Sequence, residues 1–142
     1  MKSSARNQLA GTVTTVSQEC DGYWVGVRVS EHIELQACIS SRAYHKLKPA
    51  PGQPVVAMIK ASQVMLATEL APMTLSADNI ISGTVVHIAM GAVNNVLALD
   101  IGDGLHVYAA ITLHSSETLA LHPGSAATAI FNANQVVLAA LV

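Results

Sequence analysis

Fixed positive charge is missing from the second half of this chain. All seven Lys and Arg residues lie at or before Lys60, whereas Asp78, Asp100, Asp103 and Glu117 remain beyond Glu69. A nucleic-acid binder carries a basic stripe or groove, and single strands are held by stacking on aromatic side chains. Here Tyr23, Trp24, Tyr44, Tyr108 and Phe131 amount to 4% of the sequence and are scattered. Uninterrupted apolar runs of about 18 residues are also absent, which excludes a membrane-spanning helix. The N-terminal stretch MKSSARNQLAGTV has no apolar signal-peptide core, so a cytoplasmic location is expected. Cys20 and Cys38 are too few for a disulfide framework and are read as reduced thiols. No phosphate loop, nucleophile elbow or pair of close carboxylates occurs, so an enzyme is not expected.

What the chain has is apolar residues. They make up 51% of the sequence against 11% charged, where an average soluble domain has roughly a quarter charged. That balance excludes disorder. It also leaves little polar surface to cover a small monomer, so burial of some apolar surface against other subunits is expected.

The chain is one unit written twice. Shifted by 72 positions it overlays itself without a gap: Ser4-Ala5-Arg6-Asn7 meets Ser76-Ala77-Asp78-Asn79, and Gly11-Thr12-Val13 meets Gly83-Thr84-Val85. Further on, Ala37, Ile39 and Leu47 meet Ala109, Ile111 and Leu119, and Pro51-Gly52 meets Pro123-Gly124. Ala61, Gln63, Val64, Leu66 and Ala67 meet Ala133, Gln135, Val136, Leu138 and Ala139. A register held over the whole repeat is the signature of duplication. The expected domains are 1–69 and 76–142, with 70–75 as a linker.

Each repeat reads as five strands rich in Val, Ile and Thr. The first has strands over 9–16, 23–29, 33–39, 54–60 and 64–68; the second over 81–88, 96–101, 105–111, 126–131 and 136–140. Asp21-Gly22 and Gly102-Asp103-Gly104 supply turns. Ser40-Ser41 and Thr112 stand as hydroxyl caps before short helical segments, which Pro51-Gly52 and Pro123-Gly124 are expected to end. The predicted fold is all-β: two tandem OB-like five-stranded barrels, each with one short helix between strands 3 and 4.

Ser-Ala-Arg-Asn before a strand, then Gly-Thr-Val and a closing Lys60-Ala61-Ser62, resembles the Mop family of molybdate-binding modules. The stretches Ala37-Cys38-Ile39-Ser40 and Ala109-Ala110-Ile111-Thr112 leading into the helix, and the Pro-Gly turn after it, add to the likeness, which covers nearly the whole chain twice. Two fused modules are similar to the free-standing di-Mop molbindins. The resemblance implies a trimer of two-module chains, with molybdate or tungstate held where modules meet, no further cofactor, and a role in molybdenum storage or homeostasis.

The residue types suit that ligand. Molybdate is a tetrahedral dianion whose oxygens only accept hydrogen bonds, so its site needs converging donors and no carboxylate. Ser4 offers a hydroxyl, Asn7 an amide, and Arg6 and Lys60 fixed charge. Backbone N–H groups around Ala5, Arg6, Asn7, Ala61 and Ser62 can add an anion nest. In the second repeat the candidates are Ser76, Ala77, Asn79 and Ala133; Cys38, Ser40, Ala110 and Thr112 form an outer set. Asp78 replaces Arg6 and Asn132 replaces Lys60, so the second site is expected to be weaker or to depend on a first repeat. No pair among His32, His45, His87, His106, His114 and His122 has metal-ligand spacing beside a carboxylate or thiol, and no zinc site is expected. A protonated histidine can instead supply the missing charge and make binding pH-dependent. The alternatives are a molybdate-responsive partner-binding sensor and, further off, a single-strand-binding OB protein.

Overall fold

The computed structural model describes residues 1–19 and 21–141; Cys20, read above as a reduced thiol, lies outside the described residues. The first repeat supplies β1 (Asn7–Glu19), β2 (Gly22–Arg28), β3 (Glu34–Ser40), α1 (Ser41–Leu47), β4 (Pro54–Ile59), the 3-10 turn η1 (Ala61–Gln63) and β5 (Met65–Ala67). The second supplies β6 (Asn79–Ala89), β7 (Asn94–Gly102), β8 (Leu105–Thr112), α2 (Leu113–Leu119), β9 (Ala126–Phe131), the 3-10 turn η2 (Ala133–Gln135) and β10 (Val137–Ala140). Both repeats therefore fold into the expected five strands and one helix.

Their assembly departs from a simple tandem. One antiparallel sheet runs β10-β4-β1-β2-β3 and the other β5-β9-β6-β7-β8. Each repeat gives its fifth strand to the other's sheet. The compact units are accordingly Met1–Ile59 with Asn132–Val142, and Lys60–Phe131. The boundary expected at 70–75 separates the sequence repeats, but it falls inside the second compact unit. The exchange keeps the repeat symmetry: Val137 pairs with Met58 on β4, and Met65 pairs with Ile130 on β9, the same partners moved by 72 positions. Equivalent fourth strands offer equivalent edges, so a fifth strand of either repeat fits either sheet.

Within each unit the core comes from alternate residues of the central strands. Val25 and Val27 on β2, and Leu35 and Ala37 on β3, are fully buried, as are their counterparts Leu97, Leu99 and Ala109, with Val107 nearly so. Each such Val or Leu contributes about 1.5–3 kcal/mol relative to an exposed position. β10 and η2 come against β3 in the first unit, and β5 and η1 against β8 in the second, curling each sheet toward closure.

The Gly-Thr-Val motif has a steric reason. A Cβ on Gly11 would stand 2.6 Å from the carbonyl oxygen of Arg28, and one on Gly83 would stand 2.7 Å from that of Asp100. Both obstacles are backbone, so neither can turn aside. Gly11→Ala is expected to destabilise the protein by about 2–3 kcal/mol, seen as a urea midpoint that falls while the slope of the transition is kept.

The helices begin as expected and end differently. Ser40 Oγ accepts from Ala43 N–H, and Thr112 Oγ1 from Ser115 N–H, both at 3.1 Å. The ends are set by Lys48 (φ 48°) and Ala120 (φ 50°) in the left-handed region, before either Pro-Gly pair is reached. Those pairs instead shape the entry to β4 and β9: Gly52 (φ 92°) and Gly124 (φ 98°) donate to the carbonyls of Val13 and Val85 at 2.8 Å. Between β2 and α1, Tyr23 and Tyr44 stack with ring centroids 3.7 Å apart. The equivalent positions in the second unit hold Asn95 and Ser116, joined by an Nδ2–H···Oγ hydrogen bond of 3.1 Å. An aromatic joint in one unit is thus a polar joint in the other.

Candidate functional site

The Ser-Ala-x-Asn segments stand immediately before β1 and β6. Their asparagines open the strands and are buried, Asn7 at 2% and Asn79 at 4% exposure. Asn7 lies opposite Ile59 and Asn79 opposite Phe131, the last residues of β4 and β9. Asn7 Nδ2 donates to the Ile59 carbonyl at 3.2 Å, which ties the end of the motif to the point where the chain leaves for the other unit. Asn7 is therefore a structural clamp as well as a candidate ligand.

Ser4, Arg6, Ser76 and Asp78 are exposed, and Ala5 and Ala77 half-buried. The Ala5 N–H, counted above among the anion donors, is engaged by Ser3 Oγ at 3.2 Å; the same hydroxyl accepts from Gln8 Nε2 at 3.0 Å. Ser3, which the sequence reading passed over, organises this turn. Its repeat counterpart is Leu75, so repetition gave no signal for it.

Lys60 is exposed and leads into η1, where Ala61 is buried and Ser62 exposed. The first bond of that turn runs from Gln63 N–H to the Lys60 carbonyl at 2.9 Å, leaving the N–H groups of Ala61 and Ser62 unused by the turn itself. In the second repeat, Asn132 forms a capping box with Gln135, whose Oε1 accepts from Asn132 N–H at 2.8 Å. The Lys-to-Asn change thus removes a cation and gains a cap, a function that a lysine side chain, having no acceptor, cannot perform.

Strand exchange redistributes the motif charges. Lys60 and Asp78 belong to the second compact unit, Arg6 and Asn132 to the first. Each unit therefore holds one cation of the motif, but Lys60 shares the second unit with Asp78 and is the single Lys or Arg there, so the second unit keeps most of the charge deficit of the second repeat.

Two clefts gather the remaining candidates. In the second unit a cleft of about 530 Å³ lies between η1–β5 and β8–α2 and brings together Ser62, Ala110 and Thr112, joined by His114, Ser115 and Thr118. In the first unit a cleft of about 500 Å³ brings Cys38 and Ser40 beside Trp24, Glu19 and Asp21. Two carboxylates there oppose a dianion, which weakens the case for Cys38 and Ser40. Ala133 sits in η2, which packs along β3. Among the described residues no group of three or more His, Cys, Asp or Glu side chains is placed to hold a metal ion.

Fold and motif together define a duplicated OB-like domain with strand-start asparagines and 3-10 turns repeated at matching places. The chain belongs to the TOBE domain family, which matches residues 3–66 and 75–138. It is 40% identical over 139 residues to the molybdenum transport protein ModE of Azotobacter vinelandii, covering 98% of this chain and 51% of that one. It is likewise 40% identical to the molybdenum-pterin-binding protein MopA of Rhodobacter capsulatus, covering 52% of it. The chain thus spans about half the length of these curated relatives. A solved structure of the cytoplasmic molybdate-binding protein ModG, with molybdate bound, matches it with a TM-score of 0.95 at 34% identity, over 99% of this chain and 100% of that one.

Proposed function

We propose that this chain is a non-catalytic molybdate-binding protein acting inside the cell, in molybdenum storage or homeostasis. The observation that carries the reading is the end-to-end match with the molybdate-bound ModG structure, on a chain whose two units repeat the same donor-bearing segments. Ser4, Arg6, Asn7, Lys60, Ala61 and Ser62, with Ser76, Ala77, Asn79 and Ala133, are the proposed oxyanion-binding residues. Tungstate has the same shape and charge and is expected to compete.

The working form is proposed to be a homo-oligomer, a trimer of two-module chains. Supporting this are large apolar side chains left exposed in the single chain: Met65, Met73, Met90, Val93 and Leu141 are each more than 60% exposed. Isothermal titration with molybdate, together with native mass spectrometry, tests both parts. Micromolar or tighter binding, with bound anions counted on an oligomer, is the expected result; several charge-assisted bonds of about 1.5–3 kcal/mol each support that affinity. A monomer indifferent to molybdate and tungstate would sink the proposal.

A second reading, a molybdate-responsive module that binds a protein partner, is favoured by the match to about half of the longer ModE chain. It predicts that molybdate changes assembly with another chain, whereas storage needs only the anion.

A further inference from the structure

We propose that α1 of one copy docks on the end of the β1–β2 hairpin of the next copy, first unit against first unit, and that opposite charge selects this contact. This rests on the homo-oligomer reading above and names the surfaces that meet. Over residues 42–48 the chain places Arg42, Lys46 and Lys48, three of its seven fixed cations, and all three are exposed. No carboxylate stands in the first turn of the helix. The hairpin end carries the opposite sign, with Glu19 and Asp21 both exposed.

The cations are held in place at a local cost. Arg42 and Lys46 are four apart on one helix, a like-charge spacing that destabilises it, and Arg42 sits near the positive end of the helix dipole. What anchors α1 is the Ser40 cap and the stack of Tyr44 on Tyr23. That stack also fixes where the cations point. Arg42 and Lys46 each stand two residues from Tyr44, about 160° around the helix from the ring that faces β2. They are turned outward, toward whatever approaches the unit. A nucleic acid is the poorer fit, because Tyr23 and Tyr44 are spent on one another and offer no free ring to a base.

Both surfaces change together in the second repeat. The counterparts of Arg42, Lys46 and Lys48 are His114, Thr118 and Ala120, so α2 keeps no fixed cation and carries Glu117 instead. The counterparts of Glu19 and Asp21 are Gly91 and Val93, so that hairpin end keeps no carboxylate; Met90 and Val93 there are 77% and 73% exposed. Loss of both signs at once is what two surfaces that meet require. A helix on one copy against a hairpin on the next is a heterologous contact, which closes into a ring when the rotation allows. Mixed pairing is disfavoured, since the acidic hairpin of a first unit meets Glu117 on α2, and like units are thereby kept together. Exposed ion pairs hold little by themselves; apolar surface supplies the hold, and charge supplies the choice of partner.

The test is sedimentation velocity of the full-length protein over a concentration series, with circular dichroism confirming the fold of each variant. Arg42→Glu/Lys46→Glu sets acid against acid, and Glu19→Lys/Asp21→Lys sets base against base; each should weaken subunit association at least roughly tenfold. The variant carrying all four exchanges restores opposite signs and should return to within about threefold of wild type. Lys2→Glu/Arg28→Glu changes the net charge as much as the helix pair does, away from α1, and should leave association unchanged. Neutral Arg42→Gln/Lys46→Gln should lose most of the salt dependence that wild type shows between about 50 mM and about 500 mM. Association indifferent to every exchange, or weakened by both pairs with no rescue, overturns this inference and leaves the homo-oligomer reading standing. Equal weakening by Lys2→Glu/Arg28→Glu also overturns it, as general repulsion. A wild type that is monomeric at every concentration overturns it together with the reading beneath it.

Discussion

A chain cut after residue 74 is expected to yield no folded monomer. The fragment keeps β1 to β5, which by strand count is a complete module. In the intact protein, however, β5 completes the sheet of β9 and not that of β4. The fragment therefore has one sheet lacking its edge strand and one strand lacking a sheet. Leu66 and Leu138, each under 10% exposed on the exchanged strands, show how much apolar contact depends on the trade. A module of this size buries only about 60% of its unfolded surface even when complete, so loss of an edge strand is not tolerated. Two fragments can repair the loss by lending each other β5, because Met65 is the repeat counterpart of Val137, which pairs with Met58. Light scattering should report dimers or larger species at micromolar concentration, with the sheet signal in circular dichroism disappearing on dilution. A dilute monomer with a cooperative melt would show that the exchange is dispensable.

Reversing the charge at position 60 is expected to have the largest effect on ligand binding. Lys60 is exposed and makes no side-chain cap to the turn it precedes, so Lys60→Glu should leave the fold and melting temperature nearly unchanged. For the anion the change is twofold: a charge-assisted bond of about 1.5–3 kcal/mol is lost, and a carboxylate faces a dianion. Molybdate affinity should fall by at least roughly 100-fold at the sites that use this residue. The opposite change, Asp78→Asn, removes a natural carboxylate from the other motif strand-start and should tighten binding a few-fold. Calorimetry on both variants decides; an affinity for Lys60→Glu within about twofold of wild type would remove Lys60 from the site.

Much of this architecture is legible in the sequence because it is carried by local rules. Runs rich in Val, Ile and Thr mark most of the strands, though the short β5 and β10 are mainly Leu, Ala and Met, and the hydroxyls of Ser40 and Thr112 mark both helix starts. The helix ends were less legible, since Lys48 and Ala120 take a left-handed conformation usually left to Gly or Asn, and no local signal announces that. Strand exchange is illegible for a different reason: two equal repeats offer two equal edges, and residue type cannot say which edge a strand will choose. The site was divided by the same fact. Ser62 and Thr112 lie 50 positions apart in different repeats, so only the fold brings them to one cleft, and His114 had no distinction among six histidines until it stood beside them. Ser3 carries no signal from the repeat, because its counterpart, Leu75, has no hydroxyl.

The single tryptophan has a practical consequence. Trp24 lies on β2 in the first unit, where its indole N–H donates to Gln36 Oε1 at 2.8 Å, and the equivalent position in the second unit is Val96. Intrinsic indole emission therefore watches one of the two units, whereas far-ultraviolet ellipticity watches both. Whether the two halves come apart as one body is written in the gap between those two melting curves.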